Sequence, residues 1–302
     1  MLLLVLGGCE HPNREPAVRL TYSFDFEAAA TAGLIDPAEL RDKKQLLLQL
    51  AEVVRKRVDT TGDAKATVLP QGDHRLEMIV PGQDEDRLAR IKSLMRNPGL
   101  LEFAIVASDA DGMDLATESA KFETWLDANP AESPLAFNRV PATAGGPRAG
   151  IRWIPLREDE MQHYLALGAV GDCVPLLVQD RLWPERAGGA ASWDFHGADL
   201  QYAGPTVDQS GLPAVAFEFQ ENRKPAFSEF TDAYTNRPMA IVINQQVYTA
   251  PNINGRLPGG GIIMGGRDGI SLAERDELIT VLRSGPLRVL PELLSETPIP
   301  AK

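Results

Sequence analysis

The sequence predicts an α+β protein made of two halves, with an inserted segment between them. The first observation is the order of elements before about residue 107, which is strand, helix, strand, strand, helix, strand. The second is a similar mixture of strands and helices after residue 198. Between them, residues 108–197 are rich in Ala, Gly, Pro, Asp and Trp and show no clean period. The order in the first half is that of a split β-α-β unit.

The first half begins with a strand and a long helix. Residues 18–24 alternate apolar and polar side chains, as a half-buried strand does. Asp36, Pro37 and Glu39 are typical of a helix start, and the apolar residues that follow as far as Val58 fall on one helical face. Two short strands, a helix and a further strand are then predicted at residues 67–71, 75–80, 84–97 and 100–106.

The second half again mixes the two kinds of element. A strand, a helix and two more strands are predicted at residues 214–219, 223–234, 239–244 and 246–250. A tight turn at Asn244-Gln245 pairs the last two strands, because Asn tolerates positive φ. Ser271 and Glu274 form a capping box that opens a final helix, and Gly285 ends it.

The inserted segment contains all the tryptophans of the chain, which are Trp125, Trp153, Trp183 and Trp193. Helices are predicted at about 116–126 and 158–167. Indole side chains are good anchors for an extended polypeptide, because they bury a large area with little loss of rotamer freedom. These four residues are therefore candidate polypeptide-binding residues. The alternative interpretation is that they build the small core of the insertion.

Composition excludes several classes of protein. The chain has 302 residues and a net charge of −12, from 42 acidic and 30 basic residues, so it repels nucleic acid. Two cysteines are too few for a disulfide framework. The sequence contains no apolar run of about 18 residues, so it predicts no membrane-spanning helix.

The residues with chemical potential form no recognisable catalytic or metal site. The four histidines are scattered along the chain at His11, His74, His163 and His196. None of them is paired at a metal-ligand spacing, so we expect no metal and no cofactor. Cys173 has no nucleophile signature and is interpreted as a semi-buried free thiol. Residues 258–266 lack the Lys-Ser/Thr of a phosphate-binding loop and are interpreted as a Gly-rich hairpin.

The first ten residues, MLLLVLGGCE, resemble the end of a bacterial lipoprotein signal. In that interpretation the thiol of Cys9 carries diacylglycerol, and residues 1–16 are a signal remnant and a polar tether. The segment lacks a positively charged start and is shorter than a normal signal. The alternative is an apolar N-terminus with an incidental cysteine.

Several motifs resemble the SecD family, which is a membrane component of the bacterial Sec protein-export system. The most specific is Arg-Pro-Met-Ala-Ile-Val-Ile-Asn-Gln-Gln-Val-Tyr-Thr-Ala-Pro-Asn-Ile-Asn at residues 237–254. Further matches lie at residues 54–62, 75–82, 101–103, 211–219, 227–231 and 281–287. The resemblance covers about residues 50–106 and 198–290 and is absent across the middle.

This resemblance implies the first large extracytoplasmic domain of SecD. It implies a base of two ferredoxin-like halves, residues 17–107 and 198–302, with an inserted head subdomain at 108–197. Deletion of the head should then leave a folded base. In the family this domain is thought to hold emerging preprotein.

The proton-conducting membrane helices of the family have no counterpart in this sequence, so we expect passive binding. The expected function is that of a non-catalytic, extracytoplasmic protein that binds translocating preprotein or a Sec translocase subunit. Cys9 would anchor it to a membrane. The alternative is an extracytoplasmic ligand-binding protein or hydrolase on the same scaffold, with its site in the inserted segment.

Overall fold

The structure, a computed structural model, is α+β throughout. It describes residues 16–31, 34–59, 66–82, 84–157, 167–177, 193–265 and 269–301. The chain divides into two compact units, unit 1 (residues 1–97 and 288–302) and unit 2 (residues 98–287). Within the described ranges, no helix combines the length and the apolar character needed to cross a bilayer.

Unit 1 is built on one four-stranded antiparallel sheet. Its strands are β1 (Ala17–Phe24), β2 (Thr67–Gln71), β3 (Arg75–Pro81) and β12 (Pro291–Ile299), in the order β12-β1-β3-β2. Its helices are α1 (Phe26–Thr31), α2 (Lys43–Asp59) and α3 (Glu85–Arg96). Asp36 caps the predicted helix start, but the first turn is a 3-10 helix, so the α-helix itself begins later.

The fourth strand of this sheet is not the one that the sequence predicts. Strand β4 (Leu101–Ile105) lies in unit 2, whereas β12 pairs with β1 along its whole length. The apolar sequence of β4 needs cover on both faces, and unit 2 provides it: Phe103 packs in one core and Ala104 in another. The polar, mostly exposed β12 suits a sheet edge.

Arg57 ties α2 to the end of α3. Its side chain is fully buried, and Nη1 donates to the carbonyl oxygen of Leu94 at 2.7 Å and also to that of Asn97. A guanidinium group satisfies carbonyls that the end of a helix leaves unpaired, and its charge opposes the helix dipole. Arg57 belongs to the motif at residues 54–62, so part of that motif has a structural role.

The described residues of unit 2 form three small sheets and three α-helices. Its further strands are β5 (Ile151–Pro155), β6 (Cys173–Leu177), β7 (Leu200–Val207), β8 (Pro213–Phe219), β9 (Met239–Ile243), β10 (Gln246–Thr249) and β11 (Gly260–Met264). Its helices are α4 (Leu115–Ala128), α5 (Lys224–Ala233) and α6 (Leu272–Ser284). The sheet orders are β10-β9-β4, β11-β8-β7 and β5-β6.

Several predictions for this unit are confirmed. Helix α4 covers the first helix predicted in the insertion, and Ser271 caps α6. Asn244 and Gln245 both have positive φ, 55° and 64°, as a two-residue hairpin turn requires. The helix predicted at about 158–167 lies mostly outside the described residues.

Strand β9 is buried on both faces. Alternate side chains of a strand point to opposite sides of the sheet. On one side, Ile241 and its neighbours pack in a large core with Phe103 and Phe217. On the other side, Val242 packs in a second core with Leu176.

The inserted segment packs against strands that precede and follow it in the chain, and the predicted boundaries at 107/108 and 197/198 stay a prediction. Strands β5 and β6 supply Ile154, Leu156, Val174 and Leu176 to the second core that covers β9. Isolated bridges also join Val106 to Leu176, and Leu156 to Val247. The insertion therefore shares its apolar interior with strands on either side of it in the chain.

We therefore expect deletion of residues 108–197 to abolish the cooperative melt of unit 2, contrary to the expectation from the resemblance. The deletion would expose Val242 and its neighbours to water. Calorimetry of the shortened chain tests this, and a cooperative transition for unit 2 like that of the full chain would support the predicted boundaries of the inserted segment.

A point variant makes the same test without a deletion. Leu176→Ala should destabilise unit 2 as a whole by about 2–5 kcal/mol in urea unfolding. Leu272→Ala is the matched control, because its side chain is 59% exposed and its loss should cost no more than about 0.5 kcal/mol. A separate early transition in Leu176→Ala would show that the insertion unfolds alone.

Candidate functional site

The candidate tryptophans differ in their surroundings. Trp153 is fully buried and stacks on Phe122 with ring centroids 4.4 Å apart, and Trp193 is 8% exposed. Trp125 is half-buried. Trp183 lies outside the described residues, as does Cys9. In this conformation Trp153 and Trp193 present no indole face to a polypeptide, and Trp125 presents part of one.

Residues 193–199 form a short segment whose aromatic side chains, Trp193 and Phe195, pack in the large core. The ring of Trp193 packs edge-on against Phe230 at 5.7 Å between centroids, and Phe195 packs edge-on against Phe227 at 5.2 Å. Both partners lie on α5. The segment thus places two aromatic side chains in the interior of unit 2, immediately before strand β7.

Charged groups hold this segment in place. Arg223 donates to the backbone carbonyl of Asp194 at 2.5 Å, and its Nε lies 3.1 Å from the Asp199 carboxylate. Nε2 of His196 lies 2.5 Å from Oδ1 of Asp194. Nearby, Arg152 and Glu102 form an ion pair at 2.6 Å. Arg223 thus joins residues 194–199 to the start of α5, and the Arg152–Glu102 pair joins β5 to β4.

The His196 and Asp194 side chains shift each other's protonation. The hydrogen bond that His196 donates to the Asp194 carboxylate raises the pKa of His196, and the carboxylates of Glu102 and Asp199 add to the effect. The same hydrogen bond lowers the pKa of Asp194. The pair is therefore charged over a wider pH range than the isolated groups would be.

The remaining candidate for chemistry, Cys173, is buried in the core of the insertion. Burial raises the pKa of its thiol, and the neighbouring Asp172 carboxylate raises it further. A thiol held in its protonated form is a poor nucleophile. Within the described ranges, no group of His, Cys, Asp and Glu side chains is arranged to hold a metal ion.

Exposed apolar side chains lie on the sheet β11-β8-β7, on the face turned away from the large core and beside the Glu218–Lys224 ion pair. Ile262, Ala216 and Gly204 are directly opposite one another on the three strands and so point to the same side. The side chain of Tyr202 lies over Gly204, where an added Cβ would meet its hydroxyl. Tyr202 and Ile262 are 45% and 42% exposed. We call these four residues the outer face.

Sequence analysis missed the outer face. Strand β7 contains Gly204-Pro205, which is typical of a turn, and β11 was interpreted as part of a Gly-rich hairpin. The available signal was the apolar run Ile262-Ile263-Met264 between glycines, which is compatible with a short strand.

The fold and this surface define an α+β domain that presents an apolar sheet face to solvent. A family model described as "SecDF, P1 head subdomain" matches residues 191–289, which contain the outer face. The matched range lies almost wholly outside residues 108–197, where we predicted the head. The division into base and head thus stays a prediction.

Curated relatives extend the similarity along the chain. The chain is 28% identical to protein translocase subunit SecD of Rhodobacter capsulatus over 243 residues, which are 79% of this chain and 33% of that protein. It is 27% identical to protein translocase subunit SecDF of Thermus thermophilus over 237 residues, 78% of this chain and 26% of that protein. The chain therefore spans between a quarter and a third of the length of these relatives.

Two solved structures show the same fold. "Crystal structure of SecDF in Super-membrane-facing form" aligns with a TM-score of 0.58 at 23% identity, over 96% of this chain and 32% of that one. "Structure and function of a membrane component SecDF that enhances protein export" aligns with a TM-score of 0.55 at 23% identity, over 92% of this chain and 98% of that one. The predicted resemblance is confirmed: this chain is similar to the P1 domain of SecD.

The His196 contacts predict a pH-dependent stability. Because the folded pKa of His196 is raised, its contribution is fully present below its unfolded pKa of about 6.5 and is lost as pH rises through the folded pKa. We expect the stability difference between the native chain and His196→Gln to be largest near about pH 5.5 and to shrink toward about pH 9. Urea midpoints measured across this range test it.

Asp194→Asn is the control, because it removes the largest cause of the His196 shift. In that background the pH-dependent effect of His196→Gln should become smaller. An equal effect in both backgrounds would show that the hydrogen bond between the two side chains does not set the pH dependence.

Proposed function

We propose that this chain is a non-catalytic SecD-like protein that assists Sec-dependent protein export by binding translocating polypeptide or a Sec translocase subunit. The observation that carries the proposal is the match of residues 191–289 to the SecDF head model, set within similarity to translocase subunits over 79% of the chain. One solved SecDF is described as a membrane component that enhances protein export. The domain would act on the extracytoplasmic side of a membrane.

The outer face supports the binding part of the proposal. Tyr202 and Ile262 offer an aromatic and an aliphatic side chain at either side of the small residues Gly204 and Ala216. Such a surface can bury apolar side chains of many sequences, because it makes few directional demands. A protein that assists export must accept clients with different sequences.

We also propose that unit 1 is ferredoxin-like. Strand β3 lies between β1 and β2, which α2 connects, and this is the arrangement of a split β-α-β unit. Strand β12 then takes the place of the fourth strand. For the second half, residues 198–302, the ferredoxin-like arrangement remains a prediction.

The alternative, a hydrolase or ligand-binding protein with its site in residues 108–197, would need a reactive group in that segment. Cys173 is buried and protonated, as described above. His196 contacts Asp194, and no hydrogen bond to a hydroxyl or thiol is found for it among the described residues. Among the residues of this segment that the structure describes, no arrangement favours the alternative.

In-cell photo-crosslinking tests the proposed binding. A photoreactive phenylalanine analogue in place of Tyr202 or Ile262 should trap secreted precursors or Sec subunits, because both side chains are exposed on the outer face. Leu69, an exposed apolar residue of unit 1, is the matched control position and should trap much less. A blank at the outer face and at positions 110–195 would refute the proposal.

Membrane attachment through Cys9 is a separate proposal. Radioactive palmitate should label the full-length protein in cells, and Cys9→Ser should abolish the label, because the thiol is the only acylation site that the lipoprotein motif provides. Cys173→Ser is the control and should remain labelled. Equal labelling of both variants would rule this anchor out.

A further inference from the structure

We propose that the outer edge of β11 pairs with an extended segment of the translocating polypeptide, which adds a fourth strand to the sheet β11-β8-β7. This inference rests on the proposed function and names the place and the mode of binding. An edge strand presents unpaired backbone groups that any extended chain can satisfy, and neighbouring side chains then add selectivity.

The register of β11 determines which of its backbone groups are free. The N–H of Phe219 donates to the carbonyl of Gly259 at 2.9 Å, so these two residues form a hydrogen-bonded pair. Such pairs alternate along an antiparallel ladder, so Gly261 and Ile263 also bond to β8. Gly260, Ile262 and Met264 therefore point their N–H and C=O groups away from the sheet. No hydrogen bond inside the described part of the chain reaches these outward groups.

The opposite edge of the same sheet is closed. On β7 the outward residues are Ala203, Pro205 and Val207 by the same alternation. Arg283 of α6 donates from Nε to the carbonyl of Ala203 at 2.6 Å. Pro205 has no N–H to offer. Proline and a covering side chain are two ways in which proteins prevent pairing at a sheet edge.

Unit 1 protects its edges in a similar manner. Its two edge strands, β2 and β12, contain Pro70 and Pro298 respectively. Strand β11, with the sequence Gly-Gly-Ile-Ile-Met, contains neither a proline nor a charge. Of the four edges of these two sheets, β11 alone lacks such a device. An apolar edge left open in this way is an aggregation hazard unless it has a partner.

The charge of the chain favours a foreign polypeptide over a second copy. With a net charge of −12, two copies repel each other when they approach edge to edge. A non-acidic extended segment meets no such repulsion. Five residues of β11 can pair with about five residues of the client, whose alternate apolar side chains would lie beside Ile262. The expected partner is therefore an unfolded, non-acidic segment with alternating apolar residues.

Peptide binding to the full chain tests this pairing. The probe is a fluorescein-labelled nine-residue peptide that alternates Val with Lys or Thr, and the measurement is fluorescence anisotropy. Ile262→Pro removes one outward N–H and places a ring at the edge, and it should weaken binding about tenfold or more. The inner ladder is kept, because the N–H of Ile262 does not face β8.

Val207→Pro is the matched control. It places the same ring at an outward position of the closed β7 edge and should leave the affinity unchanged. Thermal melts of both variants verify that they fold. Equal binding by Ile262→Pro and the native chain would overturn edge pairing, and the proposed function would stand.

Three other results would also overturn the inference. The first is a native chain that does not bind the peptide. In that case the proposed function survives if the outer-face positions still crosslink precursors in cells. If these positions do not crosslink precursors either, the edge-pairing inference and the proposed function both fail. The second is a dimer in sedimentation that Ile262→Pro dissociates, which would make the occupant a second copy. The third is peptide binding that requires removal of residues 1–15, which would make the occupant this chain's own N-terminal segment.

Discussion

The constraint on which unit 2 depends is the burial of β9 on both faces. A strand with the sequence Met-Ala-Ile-Val-Ile has no side that water can occupy, so two sets of apolar neighbours must cover it. Phe217 of β8 packs in the same core as Ile241, and the outer face lies on the other side of β8. The candidate binding surface is therefore held in place by the strand that carries the family motif. A substitution that disturbs the packing of β9 would also disturb that surface, because β8 packs in the same core.

The side chains best suited to grip a polypeptide are mostly used inside the protein. Trp153 and Trp193 fill cores, and Phe195 does the same beside Arg223. What the sheet offers outside is a tyrosine, an isoleucine and small residues. Such a surface discriminates only weakly between the side chains of a bound polypeptide. Hydrogen bonds to the backbone of that polypeptide do not discriminate between its side chains at all. Both properties suit the proposed binding of polypeptides that share an unfolded state rather than a sequence.

Local features could be predicted from the sequence, and distant pairings could not. Asp36 and Ser271 cap their helices as predicted, because capping involves only the next few residues. The predicted pairing of β4 was wrong, because the periodicity of a strand does not say which strand lies beside it. The shared core of β5 and β6 was missed for the same reason. A count of tryptophans could not distinguish a core such as that around Trp153 from a binding surface, since both uses bury apolar area.

The pairing of β1 with β12 has a consequence for the order of folding. Ala17 lies opposite Ile299, so the two strands that meet are almost the whole chain apart. All of unit 2 is made between them, and it can complete its own sheets before β12 exists. Until β12 is made, β1 lacks the strand on one of its sides. Bringing together two strands so far apart in the sequence is slow. Unit 1 therefore completes its sheet last, and a ribosome that still holds the C-terminal strand leaves β1 without this neighbour.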